Sequence, residues 1–210
     1  MQDYKLKPCP FCGEKPKLYE IPPHTHQITT GGKAKMKKYE LTGETKEIGG
    51  VTLHRIRALI DIPEHDVKAG DLGGWIEAER NLSQNGEAWV TGSACVTGKA
   101  WVTDSAWVTG EALVTGSARV IGNAWVSGNA RIMKSSDCIT IGAIGSRNDT
   151  STFYRGADEK IYVSCGCFNG SIDDFASKVK AVHAGTKHEK TYLLAIELAK
   201  AQIGTAEEER

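Results

Sequence analysis

The chain has no surplus of either charge. Lys+Arg and Asp+Glu both number 26 in 210 residues, so no whole-molecule field draws it to nucleic-acid phosphates or to an anionic membrane, and any nucleic-acid role has to be local. No apolar run approaches the length of a membrane span, and Met1-Gln2-Asp3-Tyr4 lacks a signal-peptide hydrophobic stretch, which predicts a cytoplasmic protein with no membrane partner. A disulfide framework is also missing: Cys9 and Cys12 form one close pair, Cys165 and Cys167 another, and Cys95 and Cys138 stand alone. Between His65 and His183 there is no histidine at all. A general base of the kind acyl transfer uses is therefore absent from the middle of the chain.

What fills that middle is a repeat. From Ala88 to Ser135 the chain divides into eight hexads of the form A-x-V-x-G-x. The first position is Ala in all eight, the third is Val or Ile in all eight, and the fifth is Gly in six. A six-residue period drifts around an α-helix, and glycine every sixth residue weakens one. In an extended chain the same pattern explains itself: Ala and Val two apart point inward, their neighbours point outward, and Gly takes a sharp corner. Three hexads then close one triangular coil. The expected fold is mainly β: a left-handed parallel β-helix of about four coils over roughly residues 67–144. The register runs backward through Leu72, Ile76, Ala78, Leu82 and Gln84 as inward positions and forward to Cys138 and Ile144, with Cys95 outward.

The flanks read differently. Residues 1–30 carry Cys9-x-x-Cys12 followed by Gly13, half of a zinc knuckle, with His24 and His26 the nearest further ligands for a zinc ion. Residues 31–66 hold the Gly- and Lys-rich linker GGKAKMKK and then a β pattern, with His54, Ile56, Ala58, Ile60 and Ile62 on one face, which predicts a hairpin closing the solenoid. In residues 145–210, strands are expected near Thr152–Tyr154 and Ile161–Ser164. A helix follows Ser171 with Ile172, Phe175, Val179 and Val182 on its apolar side, and a second starts at Thr186 with Tyr192, Leu193, Ile196 and Ala199 inward. This small α/β unit caps the open end of the solenoid. Cys165, Cys167, His183 and His188 are a second candidate metal cluster, set against the plainer reading of Cys165 and Cys167 as packed side chains beside Gly166.

Two stretches resemble known families. Pro8-Cys-Pro-Phe-Cys-Gly13 resembles the CPxCG opening of phage zinc-binding proteins of the restriction-alleviation (Lar-like) type. Ala69-Gly-Asp-Leu-Gly-Gly-Trp-Ile-Glu77, with Asn81-Leu-Ser-Gln84 and the hexads, is similar to phage and prophage hexapeptide-repeat proteins of the transferase type, and Gly166-Cys-Phe-Asn-Gly-Ser-Ile-Asp-Asp-Phe175 resembles a C-terminal unit of such proteins. The resemblance implies a phage setting, a host protein as target, a counter-defence role, and a homotrimeric assembly; acyl transfer is its enzymatic alternative.

The candidate surface follows from counting in coils. Trp89, Trp107 and Trp125 are eighteen apart and occupy the outward position before the inward Val, with Thr91, Thr109 and Ser127 in a parallel row. They are expected to stack as a ladder about 4.8 Å per coil, giving an apolar contact face. The leading reading is a non-enzymatic binding or scaffold protein, ahead of acyltransferase and nucleic-acid association.

Overall fold

The computed structural model describes residues 36–204 and consists mainly of β-structure, with a solenoid of about three turns and two helices at its C-terminal end. The solenoid strands are two residues each: β4 (Trp89–Val90), β5 (Cys95–Val96), β6 (Trp101–Val102), β7 (Trp107–Val108), β8 (Leu113–Val114), β9 (Arg119–Val120), β10 (Trp125–Val126) and β11 (Arg131–Ile132). Each pairs in parallel with the strand three hexads away: β4–β7–β10, β5–β8–β11 and β6–β9. Three walls therefore enclose a core in which every inward Ala and Val or Ile of the hexads is at most 2% exposed. Alanine fits where the walls converge, and branched valine fills the span and suits extended backbone.

The corners explain where the solenoid ends. Gly92, Gly98, Gly110, Gly116, Gly122 and Gly128 all turn with φ between 60° and 71°. Asp104 takes the same left-handed turn at φ 62°, and its carboxylate accepts from Gly122 N–H at 2.9 Å, a local bond of the kind that lets Asp occupy this region. Lys134, the eighth fifth-position residue, stays extended at φ −134° and leads into a one-turn 3-10 helix, Ser135–Asp137. The chain then leaves the coil path. β12 (Cys138–Ile144) pairs antiparallel with β13 (Asp149–Arg155), so the parallel register counted forward to Ile144 gives way after Ile132.

At the other end, β1 (Tyr39–Ile48) and β2 (Val51–Ala58) form the expected hairpin, and β2 pairs antiparallel with β3 (Leu72–Ile76), which joins the wall of β5, β8 and β11. Gly73 and Gly74 permit this closure, since a Cβ on Gly73 would lie 2.5 Å from Ile56 and one on Gly74 2.8 Å from the Ala94 carbonyl. The first coil is longer than the rest: Trp75 pairs with Cys95 and Leu82 with Val102, twenty residues on. The extra length lets Gln84 bond the backbone of Lys38 and Tyr39 instead of filling the interior. Leu72, expected inside, is 48% exposed, because it precedes the first parallel rung.

The C-terminal unit is a four-stranded antiparallel sheet, β12–β13–β14–β15, with β14 at Ile161–Cys165 and β15 at Phe168–Ser171. Helices α1 (Ile172–His183) and α2 (Lys187–Ile203) cover one face around Phe153, Val163, Phe175 and Ile196, while Tyr154 joins the solenoid core. Ser171 and Thr186 cap the two helices by accepting from Asp174 and Glu189 N–H, which fixes where each begins. Val182, expected on the buried side of α1, is 42% exposed and His183 is buried in its place.

Candidate functional site on the tryptophan face

The wall of β4, β7 and β10 does place Trp89, Trp107 and Trp125 in register. Their rings do not form a uniform ladder. Trp125 stacks on Trp107 at 5.3 Å between centroids and 21° between planes, but the other side of Trp107 is taken by His65, at 5.3 Å and 20°. Trp89 turns away to meet Tyr39 edge-on at 6.3 Å and is only 1% exposed. The row beside them is graded in the same way: Thr91 and Thr109 are half-buried, whereas Ser127 is buried and meets Tyr154 Oη at 3.0 Å and the Asn169 amide. The backbone N–H of Trp125 donates to Thr152 Oγ1 at 3.0 Å. The tryptophan face is thus roofed at one end by the segment before β3 and at the other by the C-terminal sheet, with Trp107 between them.

His65 reaches this wall from a short 3-10 turn, Pro63–His65, opened by a proline whose fixed φ suits the first turn and closed by Asp66 in the left-handed region at φ 53°. An Ile62–Val67 bridge ties the base of the loop, and Ala69 N–H donates to Asp61 at 2.9 Å. His65 and Trp107 together separate two clefts. One, of about 220 Å³, is lined also by Ser105, Asn123, Trp125, Asp149 and Thr152; the other, of about 250 Å³, by Asp66, Asp71, Leu72, Trp89 and Thr91. The Nε1 atoms of Trp107 and Trp125 and Nε2 of His65 are buried without a hydrogen-bond partner. Each such orphan costs about 1–3 kcal/mol relative to a paired group.

Burial pushes the His65 imidazole down to about 4, outweighing the Ser105 backbone bond that favours the cation, and the Lys38 charge adds to the lowering. His65 is neutral at pH 7. Lys38 is itself pushed down to about 8 by burial, against the raising influence of Glu87, and its amino group donates to the Ala88 carbonyl at 2.6 Å. Between the unfolded value of about 6.5 and the folded value of about 4, the unfolded chain holds a proton on His65 that the folded chain does not. Stability therefore falls as pH drops through that window and levels off below it. Because the ring is only half-buried, the expected loss is discounted to about 1–2 kcal/mol. Urea unfolding at pH 7 and pH 4 reads it as the difference between wild type and His65→Gln; equal slopes in the two proteins would refute it.

Two of the described thiols, Cys138 and Cys165, are held protonated and make poor nucleophiles. Burial raises Cys138 to about 12 and also raises Cys165, whose sulfur accepts from Ser151 Oγ at 3.1 Å. Cys95 is outward by register yet 5% exposed, covered on the wall between Trp75 and Leu113. His183 and His188 meet edge to face at 5.9 Å, but no group of three or more His, Cys, Asp or Glu gathers around a metal-sized space among the described residues, so Cys165, Cys167, His183 and His188 are not brought together as a ligand set. Cys9, Cys12, His24 and His26 lie outside the described residues.

Sequence reasoning missed His65, and it placed Trp101 and Arg119 outward on one mixed face without marking them as the exposed rung. Nothing in the hexad pattern points to His65, which joins the tryptophan wall from outside the repeat. On another wall Trp101 stays 39% exposed, with the Arg119 guanidinium 5.8 Å from its ring centroid and Ile121 49% exposed beside it. The signal for that pair was present, since Trp101 and Arg119 are one coil apart. Comparison with known proteins adds no relative: no family model matches the chain, and no curated protein matches it.

Proposed function

We propose that the chain is a non-enzymatic binding or scaffold protein that meets its partner through the outside of the solenoid. The observation that carries this reading is the exposed rung of Trp101 and Arg119 with Ile121. Trp and Arg are enriched among residues that dominate binding energies, and short strands locked into a wall hold them with little further ordering to lose. A second copy of this chain is the first occupant, in the trimeric assembly the hexapeptide resemblance implies. A host protein, as the phage resemblance implies, is the other. Acyl transfer ranks lower because burial pushes the imidazole stacked on the tryptophan wall, His65, down to about 4 and its Nε2 is covered, which makes a weak base at neutral pH. Nucleic-acid association, through the Cys9–Cys12 module and Lys33–Lys38, ranks lower because the chain carries no net positive charge to draw phosphates.

The same proposal includes the finer architecture: left-handed winding, about four coils when the flanking turns are counted, and a zinc knuckle in which Cys9 and Cys12 are completed by His24 and His26. Metal analysis is expected to give about one zinc per chain in wild type and none in Cys9→Ser; equal zinc in both removes that site. The binding surface is tested by Trp101→Glu, which adds a charge to an exposed position and leaves the inward residues untouched. Light scattering is expected to show a smaller assembly, or host-lysate retention to be lost, with an unchanged circular dichroism spectrum. A variant that keeps both wild-type behaviours would overturn the surface, and acetyl-CoA turnover abolished by His65→Ala would overturn the non-enzymatic reading.

A further inference from the structure

We propose that the groove over Trp107 is a gated binding site for a neutral, hydroxyl-rich ring of the pyranose class, with the imidazole of His65 as the gate. This site is separate from the Trp101 rung and does not rest on the partner-protein reading.

The geometry begins with the two clefts, of about 220 and 250 Å³, which share His65 and Trp107 as the wall between them. Each alone is smaller than the roughly 300–1,000 Å³ of ordinary ligand pockets. With the His65 ring swung aside they become one groove within that range, floored by the face of Trp107 that His65 now covers. The imidazole, a flat ring parallel to the indole within 20°, occupies the place a ligand ring would take. Its loop is a proline-started single turn with a left-handed Asp66, tied at its base by the Ile62–Val67 bridge and the Ala69-to-Asp61 bond, so the imidazole is the part that swings while its base stays fixed.

The closed arrangement is also poorly satisfied. His65 Nε2 and the indole N–H groups of Trp107 and Trp125 are buried with no acceptor or donor opposite them, whereas buried polar groups in folded proteins are nearly always paired. Displacing His65 uncovers donors at the edge of the stack. The chemistry of the lining selects the ligand. No lysine or arginine lines either cleft, and Glu64, Asp66, Asp71 and Asp149 do, so an anion such as phosphate is disfavoured. A cation such as guanidinium is disfavoured too, because it carries no acceptor for the unpartnered indole N–H groups of Trp107 and Trp125. What remains is a neutral ligand whose hydroxyls donate to Asp149, exchange bonds with Asn123 and Thr152, and accept from the indole N–H groups, while its C–H face lies on Trp107.

The experiment uses the full chain and a panel of methyl pyranosides as probes, read by the indole ¹H–¹⁵N signals of Trp107 and Trp125, with inorganic phosphate and guanidinium as charged controls. At least one pyranoside is expected to shift both signals. Removing the gate in His65→Ala is expected to tighten that binding about three- to tenfold, the value of one aromatic stacking contact given up on opening. Asp149→Asn and Asn123→Ala are expected to weaken it with the fold retained. Silence of both signals toward every pyranoside, in wild type and in His65→Ala alike, would overturn the site. Weaker binding in His65→Ala would overturn the gate, and equal response to phosphate or guanidinium would overturn the ligand class. Unchanged assembly of the Trp101→Glu variant bears on the partner surface alone.

Discussion

Replacing Arg155 with Met is expected to cost about 3–5 kcal/mol of folding free energy, the cost of leaving a buried charge without its partner. Arg155 is 7% exposed, and its Nε lies 3.3 Å from Oδ1 of Asp137, which is 2% exposed. Its other nitrogens donate to the Ile203 carbonyl and to Glu159. Asp137 Oδ2 meanwhile accepts from Met133 and Lys134 N–H at 2.9 and 3.0 Å, so this carboxylate fixes the turn by which the chain leaves the solenoid. One guanidinium thus joins the last coil, strand β13 and the end of α2. Urea unfolding should show the loss. The double variant Arg155→Met with Asp137→Asn should recover part of it, because the uncompensated charge is gone. A loss below about 1 kcal/mol in the single variant would place the joint among ordinary surface pairs.

The second large effect comes from a corner. Gly116 and Gly128 have nearly the same backbone, φ 61° and 60°, but a Cβ on Gly116 would lie 2.3 Å from the Met133 carbonyl oxygen, whereas one on Gly128 meets nothing within 4 Å. Gly128→Ala should cost about 1–2 kcal/mol, the left-handed strain alone. Gly116→Ala carries the same strain and must also push apart two coils joined there by the Ser117 N–H to Met133 carbonyl bond, adding about 2–3 kcal/mol. The difference between the two variants in thermal or urea unfolding isolates the close approach. Equal losses would mean the coils part freely at that corner.

These two sites also mark how far the sequence reveals the fold. The walls were legible because stacking makes every hexad solve the same packing problem, so Ala and Val repeat wherever a side chain points inward. The exit was not, because Lys134 differs from the glycine corners by one residue and the consequence depends on Asp137 and Arg155 gathering from elsewhere in the chain. Cys138 fits the inward register as well as any hexad residue, yet it begins a strand paired antiparallel with β13. A period of six cannot distinguish a parallel rung from the first residue of a new sheet. The helices were legible for local reasons, since Ser171 and Thr186 announce their caps.

The candidate site divides in the same way. The register of Trp89, Trp107 and Trp125 follows from arithmetic, and the strands bear it out. What meets each residue does not follow from arithmetic: Tyr39 comes from the hairpin to the Trp89 ring, His65 from the loop before β3 to the Trp107 ring, and Thr152 from the C-terminal sheet to the Trp125 backbone. Long-range docking of the flanking units therefore turned a regular row into one buried ring and a stacked pair. The Trp101–Arg119 rung escaped such cover, which is why it carries the proposed contact.

Hydroxyl-radical footprinting of Trp101 and Ile121 tests that contact most directly, because it reads the accessibility of the side chains themselves, while the Trp101 backbone is already hydrogen-bonded into the wall. Labelling should be rapid in dilute protein, as their exposures of 39% and 49% require, and should fall sharply when the protein assembles at high concentration or binds its partner. Trp101 and Ile121 labelled as fast in the assembled or partner-bound state as in the dilute one would contradict the account.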